Sequence, residues 1–93
     1  MKVEQFYNKN QFIIRDGGKT VFQSYDSTIA IYENGVLTLG HDWDYSKTTS
    51  KHLYLFIDEY CMLEGFDIQN KNKKSWVQKN IDNGKIKYDN DLR

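Results

Sequence analysis

The sequence predicts an α+β domain. An antiparallel β meander of four strands, with a candidate fifth segment at its edge, carries one long helix, and a short second helix follows. Three observations predict this. Residues 11–39 hold four short apolar runs separated by Gly, Asn, Asp and Ser. After Tyr45 the apolar spacing lengthens from about two residues to about 3.6. At 93 residues the chain has room for one domain around one core.

The elements follow in order. Gln11-Phe12-Ile13-Ile14-Arg15 is an apolar run of strand length, and Asp16-Gly17-Gly18 supplies a tight hairpin. Thr20–Tyr25 is rich in β-branched and aromatic residues and reads as the second strand. Asp26-Ser27 turns the chain into a third, Thr28–Tyr32. Asn34-Gly35 is the strongest hairpin signal, because both residues tolerate the positive φ of a type I′ turn. Val36–Leu39 is the fourth strand, which closes a meander over about residues 11–40. Strands joined by such short turns pair as antiparallel neighbours. Phe6-Tyr7 is the candidate edge segment.

The long helix is expected over about residues 47–64. Ser46 to Ser50 offers several N-cap hydroxyls. Thr49, Leu53, Phe56, Tyr60 and Leu63 share one face, flanked by Leu55 and Ile57, and Gly65 reads as the C-terminal stop. A second helix over 75–83 presents a narrow stripe of Trp76, Val77 and Ile81 and closes on Gly84. Ile86 and Tyr88 suit a last short strand or an extended tail, and Asp89–Arg93 reads as a frayed end.

Composition removes several classes. Lys plus Arg and Asp plus Glu each number 13, so the formal net charge is zero. That balance disfavours both a strongly basic nucleic-acid clamp and an acidic nucleic-acid mimic. The 39% hydrophobic content, with 15% aromatics, builds a core and argues against disorder. The N-terminus Met1-Lys2-Val3-Glu4-Gln5 is polar, and no apolar run approaches the roughly 18 residues of a membrane span. A cytoplasmic protein with no membrane contact is expected. Cys61 is the only cysteine, so no internal disulfide forms, and its apolar neighbours mark it as a small buried hydrophobe.

Four clusters resemble chemistry without completing it. His41-Asp42-Trp43-Asp44 holds metal-ligand types, but on extended backbone His41 diverges from the two acids, and His52 is the one other imidazole. Asp58 and Glu59 are adjacent on a helix and so point about 100° apart. Gly17-Gly18-Lys19-Thr20 imitates the end of a phosphate loop, yet the first glycine is missing and a strand follows. Lys71, Lys73, Lys74 and Lys79 form a basic cluster around the second helix. It tilts the charge: residues 1–46 carry four positive and six negative groups, the remainder nine and seven. With neighbouring aromatics such a cluster suits single-stranded nucleic acid. No catalytic residue, metal or cofactor is assigned.

The most distinctive segment is Trp43-Asp44-Tyr45-Ser46-Lys47-Thr48-Thr49-Ser50-Lys51-His52-Leu53. Ser46 and Thr48 are placed to cap the first helical turn. Thr49 and His52 edge the buried face, and His52 is expected to be a hydrogen-bonded link from helix to sheet. In a second reading, Tyr45, Ser46, Thr48, Thr49, Lys51 and His52 form a partner or anion site at the helix N-terminus. The pattern W-x-Y-S-x-T-T-x-K-H-L, with Phe22-Gln23-Ser24-Tyr25 and Ile29-Ala30 upstream, resembles a family of small proteins encoded by bacteriophages and mobile genetic elements. The resemblance covers about residues 11–63 and a basic tail. It implies a β meander leading into this helix start, and it brings no activity to transfer.

The expected function is therefore a non-enzymatic phage or mobile-element accessory protein that binds another protein. Abundant tyrosine favours this, since Tyr is enriched at interfaces. The anti-defence role expected of such a protein is inhibition of a host system such as a CRISPR effector, in the cytoplasm of the bacterial host. The alternative is a small nucleic-acid-binding protein using Lys71, Lys73, Lys74 and Lys79. A homo-oligomer through an exposed strand edge is a further expected association.

Overall fold

The computed structural model describes residues 1–93. Its six strands are β1 (Lys2–Phe6), β2 (Asn8–Asp16), β3 (Lys19–Ser24), β4 (Ser27–Glu33), β5 (Val36–Gly40) and β6 (Lys87–Asp89). Two helices, α1 (Lys47–Tyr60) and α2 (Lys73–Asp82), lie in sequence between β5 and β6. The strands stand in chain order in one sheet, antiparallel from β1 to β5, with β6 parallel to β5. The α+β class and the predicted meander are therefore present, with six strands where four or five were expected.

Turn chemistry sets the register. Asn34 and Gly35 take φ of 53° and 76°, the two positive values that a type I′ turn requires. Tyr25 has φ 53° and turns β3 into β4, so the loop is Tyr25-Asp26 rather than Asp26-Ser27. Tyr7, with φ 64°, is the pivot between β1 and β2. The edge element is thus Lys2–Phe6, with Tyr7 as its turn and not part of the strand.

One row of the sheet, Ile13–Phe22–Ala30–Leu39, crosses β2 to β5 on the face that meets the helices. α1 lays Leu53, Phe56 and Ile57 onto that row, and all three are buried. The Phe56 ring stacks on Phe22 at 5.8 Å and on Tyr60 at 5.6 Å. Trp43, Val77 and Ile86 join the same core cluster, with Phe6, Ile29, Leu37 and Cys61. The predicted apolar face of α1 is thus the buried one.

α1 ends at Tyr60, short of Leu63 and the expected stop at Gly65. Cys61 adopts extended backbone (φ −105°, ψ 140°), and its amide makes the last helical bond, to the Ile57 carbonyl. The next amide, that of Met62, donates to the Tyr32 hydroxyl instead, at 3.4 Å. The sheet thus supplies a competing acceptor, and Gly65 sits in a later turn. α2 starts at Lys73, two residues before the predicted Ser75, and ends one residue earlier than predicted.

The C-terminal segment is docked and not frayed. β6 pairs with β5, and the His41 amide donates to the Leu92 carbonyl at 2.9 Å. A Cβ on Gly40 would press against the Leu92 carbonyl and lie 2.8 Å from the Thr28 carbonyl oxygen. Both obstacles are backbone, so neither yields by a rotamer change. Gly40→Ala is expected to cost about 1–3 kcal/mol, read as a lower urea midpoint with faster proteolysis after residue 86. An unchanged midpoint would show that the tail is free to lift away.

One core position opposes its surroundings. Gln11 is 1% exposed, and neither its Oε1 nor its Nε2 has a hydrogen-bond partner. An unpaired buried amide costs about 1–3 kcal/mol. Gln11→Met keeps the volume and removes the polar atoms, so a gain of that order is expected in chemical denaturation. A loss would show that water bridges the amide in solution.

Candidate functional site

The start of α1 is fixed by hydroxyls. Ser46 is the N-cap, with extended backbone, and its Oγ accepts from the Thr49 amide at 3.1 Å. The same hydroxyl donates to Thr49 Oγ1 at 3.1 Å, and Thr49 Oγ1 meets Ser24 Oγ of β3 at 3.3 Å. Thr49, and not His52, is therefore the hydrogen-bonded link from helix to sheet. His52 Nδ1 lies 2.7 Å from the Thr48 carbonyl one turn back, so that nitrogen carries the proton and donates. The His52 ring packs edge-on against Phe6 of β1, 6.3 Å between centroids. Thr48 contributes its carbonyl; its hydroxyl caps nothing, and its side chain is exposed.

Of the six residues singled out here, Ser46, Thr49 and His52 are thus occupied in holding the helix start. Tyr45 and Lys51 are left to solvent, and Tyr45 is 81% exposed. Tyr45 is the most exposed aromatic residue of the chain, ahead of Tyr7, Tyr25 and Tyr88.

Tyr45 stands between two hollows of opposite charge. On one side is a groove of about 830 Å³ lined by Lys47, Lys51, Lys73, Lys74 and Asp44, with Tyr54 and Ile68 on its floor. Lys74 Nζ is paired with Asp44 at 3.6 Å. Lys73 Nζ donates to the Ile68 and Asn70 carbonyls at 3.2 and 2.7 Å, and lies 5.6 Å from the centre of the Tyr54 ring. Lys47 and Lys51 make no ion pair and give the groove its available positive charge. Burial pushes the Tyr54 phenol above its ordinary value, so it remains an uncharged donor at neutral pH.

On the other side is a hollow of about 630 Å³ lined by Asp26, Asp42, Tyr25 and the hydroxyls of Ser24, Ser27, Thr48 and Thr49. Asp42 accepts from Ser27 Oγ at 3.3 Å, and its other oxygen lies 2.8 Å from His41 Nδ1. Asp26 makes no ion pair. Tyr25, 60% exposed, forms the far rim. Tyr45 and Ser46 line both hollows and make the ridge between them.

The profile of DUF8033, a family of unknown function, matches residues 1–77. The chain belongs to the DUF8033 family. No curated protein and no solved structure matches it. The matched residues of this DUF8033 chain run from β1 into α2, so they include the Tyr45 ridge and both hollows.

The basic cluster read from the sequence is only partly gathered in this DUF8033 chain. Lys73 and Lys74 line the groove beside Tyr45. Lys79 lies six residues beyond Lys73 on α2, about 240° around the helix; it lines a separate hollow with Trp76 and Leu63 and shares another with Lys74 and Asp82. Lys71 lines none of these. The sequence reading did not place Lys47 and Tyr54 in the partner or anion site, although a signal was there. Lys47, Lys51 and Tyr54 recur at i, i+4 and i+7 opposite the apolar face, the spacing of one exposed helical stripe. Asp26 and Tyr25 gave no such signal, because their approach to α1 depends on the β3–β4 turn.

The reactive side chains are held quietly. Burial pushes the Cys61 thiol up to about 12, so it stays protonated at neutral pH. His41 and Asp42 form an exposed pair, and no three His, Cys, Asp or Glu side chains converge as metal ligands.

Proposed function

We propose that this DUF8033 chain is a non-enzymatic protein-binding module that grips its partner across the Tyr45 ridge. The observation that carries the proposal is a single 81%-exposed tyrosine standing between a hollow rich in lysine and one holding two aspartates. Tyrosine is a preferred interface anchor, with large rigid area and a polar tip. Flanking charges of both signs fix the orientation of a partner and reject wrong ones more than they add affinity. The fitting partner surface presents an acidic group toward Lys47 and Lys51, a basic group toward Asp26, and a pocket for Tyr45 between them. The non-enzymatic part is supported by Cys61, kept protonated by burial, and His52, bonded within its own helix.

The resemblance to phage and mobile-element proteins supports a bacterial host protein as the partner. A defence protein such as a CRISPR effector is the first to assay.

A second reading, binding of single-stranded nucleic acid, is favoured by the four lysines and two tyrosines of the basic groove. Lys73 and Lys74 are already engaged within the chain, which leaves two lysines for phosphate. Two contacts give a slope of log K against log salt of only about −1.4 on a single strand.

Capture from host lysate by tagged chain separates the two. A discrete protein is expected on the wild type, unaffected by nuclease and lost from Tyr45→Ala. Capture that vanishes with nuclease, or that Tyr45→Ala leaves intact, would overturn the proposal.

A further inference from the structure

The sheet is covered on one face only. Its other face carries a continuous apolar row, Val3–Ile14–Val21–Ile31, set by the pairings of β1 to β4. None of these four side chains belongs to the core under α1 or packs against it. Val3 is 53% exposed, while Val21 is 9% exposed, shielded without belonging to that core. An antiparallel sheet facing water normally alternates polar residues there. Here the centre of the open face is aliphatic across four adjacent strands.

Beside this row, Lys19 of β3 stands between Glu33 of β4 and Asp16 of β2, directly opposite each, and pairs with neither. The chain's ion pairs are Lys2–Glu4, His41–Asp42 and Lys74–Asp44, so Lys19 and Glu33 do not pair with each other. Both charges are available to something outside the chain.

We infer that this face is a homodimer interface, with a second copy of the chain as its occupant. A two-fold axis running parallel to the strands, between β3 and β4, lays β3 of one copy over β4 of the other. Lys19 then faces the partner subunit's Glu33, and Glu33 faces the partner subunit's Lys19. Val21 meets the partner subunit's Ile31, and the reciprocal contact forms as well. The centre of the face is thus self-complementary in charge and in apolar content, as an isologous contact requires, while the same axis lays Ile14 over the partner subunit's Thr38 and Val3 over the partner subunit's Lys87, so the rim is polar. Zero net charge leaves no long-range repulsion between copies. The result is two sheets stacked about 10 Å apart with a dry centre. The strand edges are less suited, since β1 carries the Lys2–Glu4 pair and β6 is three residues long.

The interface is small. Six strands about 4.8 Å apart and about five residues long give a footprint of roughly 400 Å² in projection. A standard interface buries about 800 Å² of accessible surface per partner. The dimer is therefore a weak one that dissociates on dilution.

Sedimentation equilibrium on the full chain, from micromolar to submillimolar concentration, tests this with two charge reversals. The wild type is expected to shift from monomer to dimer mass as concentration rises. Lys19→Glu and Glu33→Lys should each weaken self-association by about tenfold or more, because every copy then meets like charge twice. An equimolar mixture of the two variants should regain dimer, since each charge in the mixed pair faces its opposite. Cross-strand effects within one chain cannot produce that rescue. A wild type that stays monomeric throughout, single variants that dimerise as well as wild type, or a mixture that stays monomeric would overturn the inference.

Discussion

Phe56→Ala is expected to destabilise the chain by about 3–5 kcal/mol, a large share of the roughly 5–15 kcal/mol that holds a small domain together. Phe56 has no exposed surface and sits at the centre of the apolar face of α1. Its ring joins Phe22 below to Tyr60 beside it in one stack. Removing it forfeits the transfer energy of a phenyl group and leaves a cavity bounded by a sheet on one side and its own helix on the other. Neither wall can move in freely, because Thr49 ties the helix to Ser24 at one end and Met62 ties it to Tyr32 at the other. Urea denaturation followed by circular dichroism gives the value. A cost below about 1 kcal/mol would mean that the helix turns a different face to the sheet.

Tyr45→Ala is expected to leave stability nearly unchanged and to lower partner affinity by about 2 kcal/mol or more, near thirtyfold. The side chain contributes almost nothing to the core, so truncation removes contact area only from a bound partner. Lys47→Ala and Lys51→Ala lie on the groove rim and should act more weakly, mainly by slowing association and reducing its salt dependence. Equal losses from all three would place the energy in the charges instead of the aromatic anchor. Titration calorimetry with the captured partner resolves these cases.

Sequence made the fold legible where two local signals agreed. Asn34-Gly35 sat between alternating runs, and the α1 face repeated over three turns. It failed where the deciding contact was distant or the local chemistry unusual. β1 is polar, and its turn residue is Tyr7 at positive φ, where Gly or Asn is the usual signal. A last short strand was legible from Ile86 and Tyr88, but its parallel pairing beside β5, where α1 and α2 return the chain, is one that no local pattern announces. The end of α1 was misread because Cys61 and Leu63 continue the apolar period, while Tyr32, thirty residues earlier, decides where the helix stops.

The site was half legible for the same reason. The motif around Tyr45–His52 marked the right stretch, but sequence could not say which hydroxyls were already engaged. Only the packing of residues 68–74 against α1 brings Lys73 and Lys74 beside Lys51, and the same packing turns Lys79 away.

That the Tyr45 ridge serves a protein and not a nucleic acid is tested most directly by fluorescence anisotropy. Labelled single-stranded DNA and RNA would be titrated with the full chain and with its Lys47→Ala/Lys51→Ala variant at physiological salt. The predicted result is no saturation in the micromolar range and no difference between the two proteins. Saturable micromolar or tighter binding by the wild type, lost in the variant and steeply weakened by salt, would contradict it.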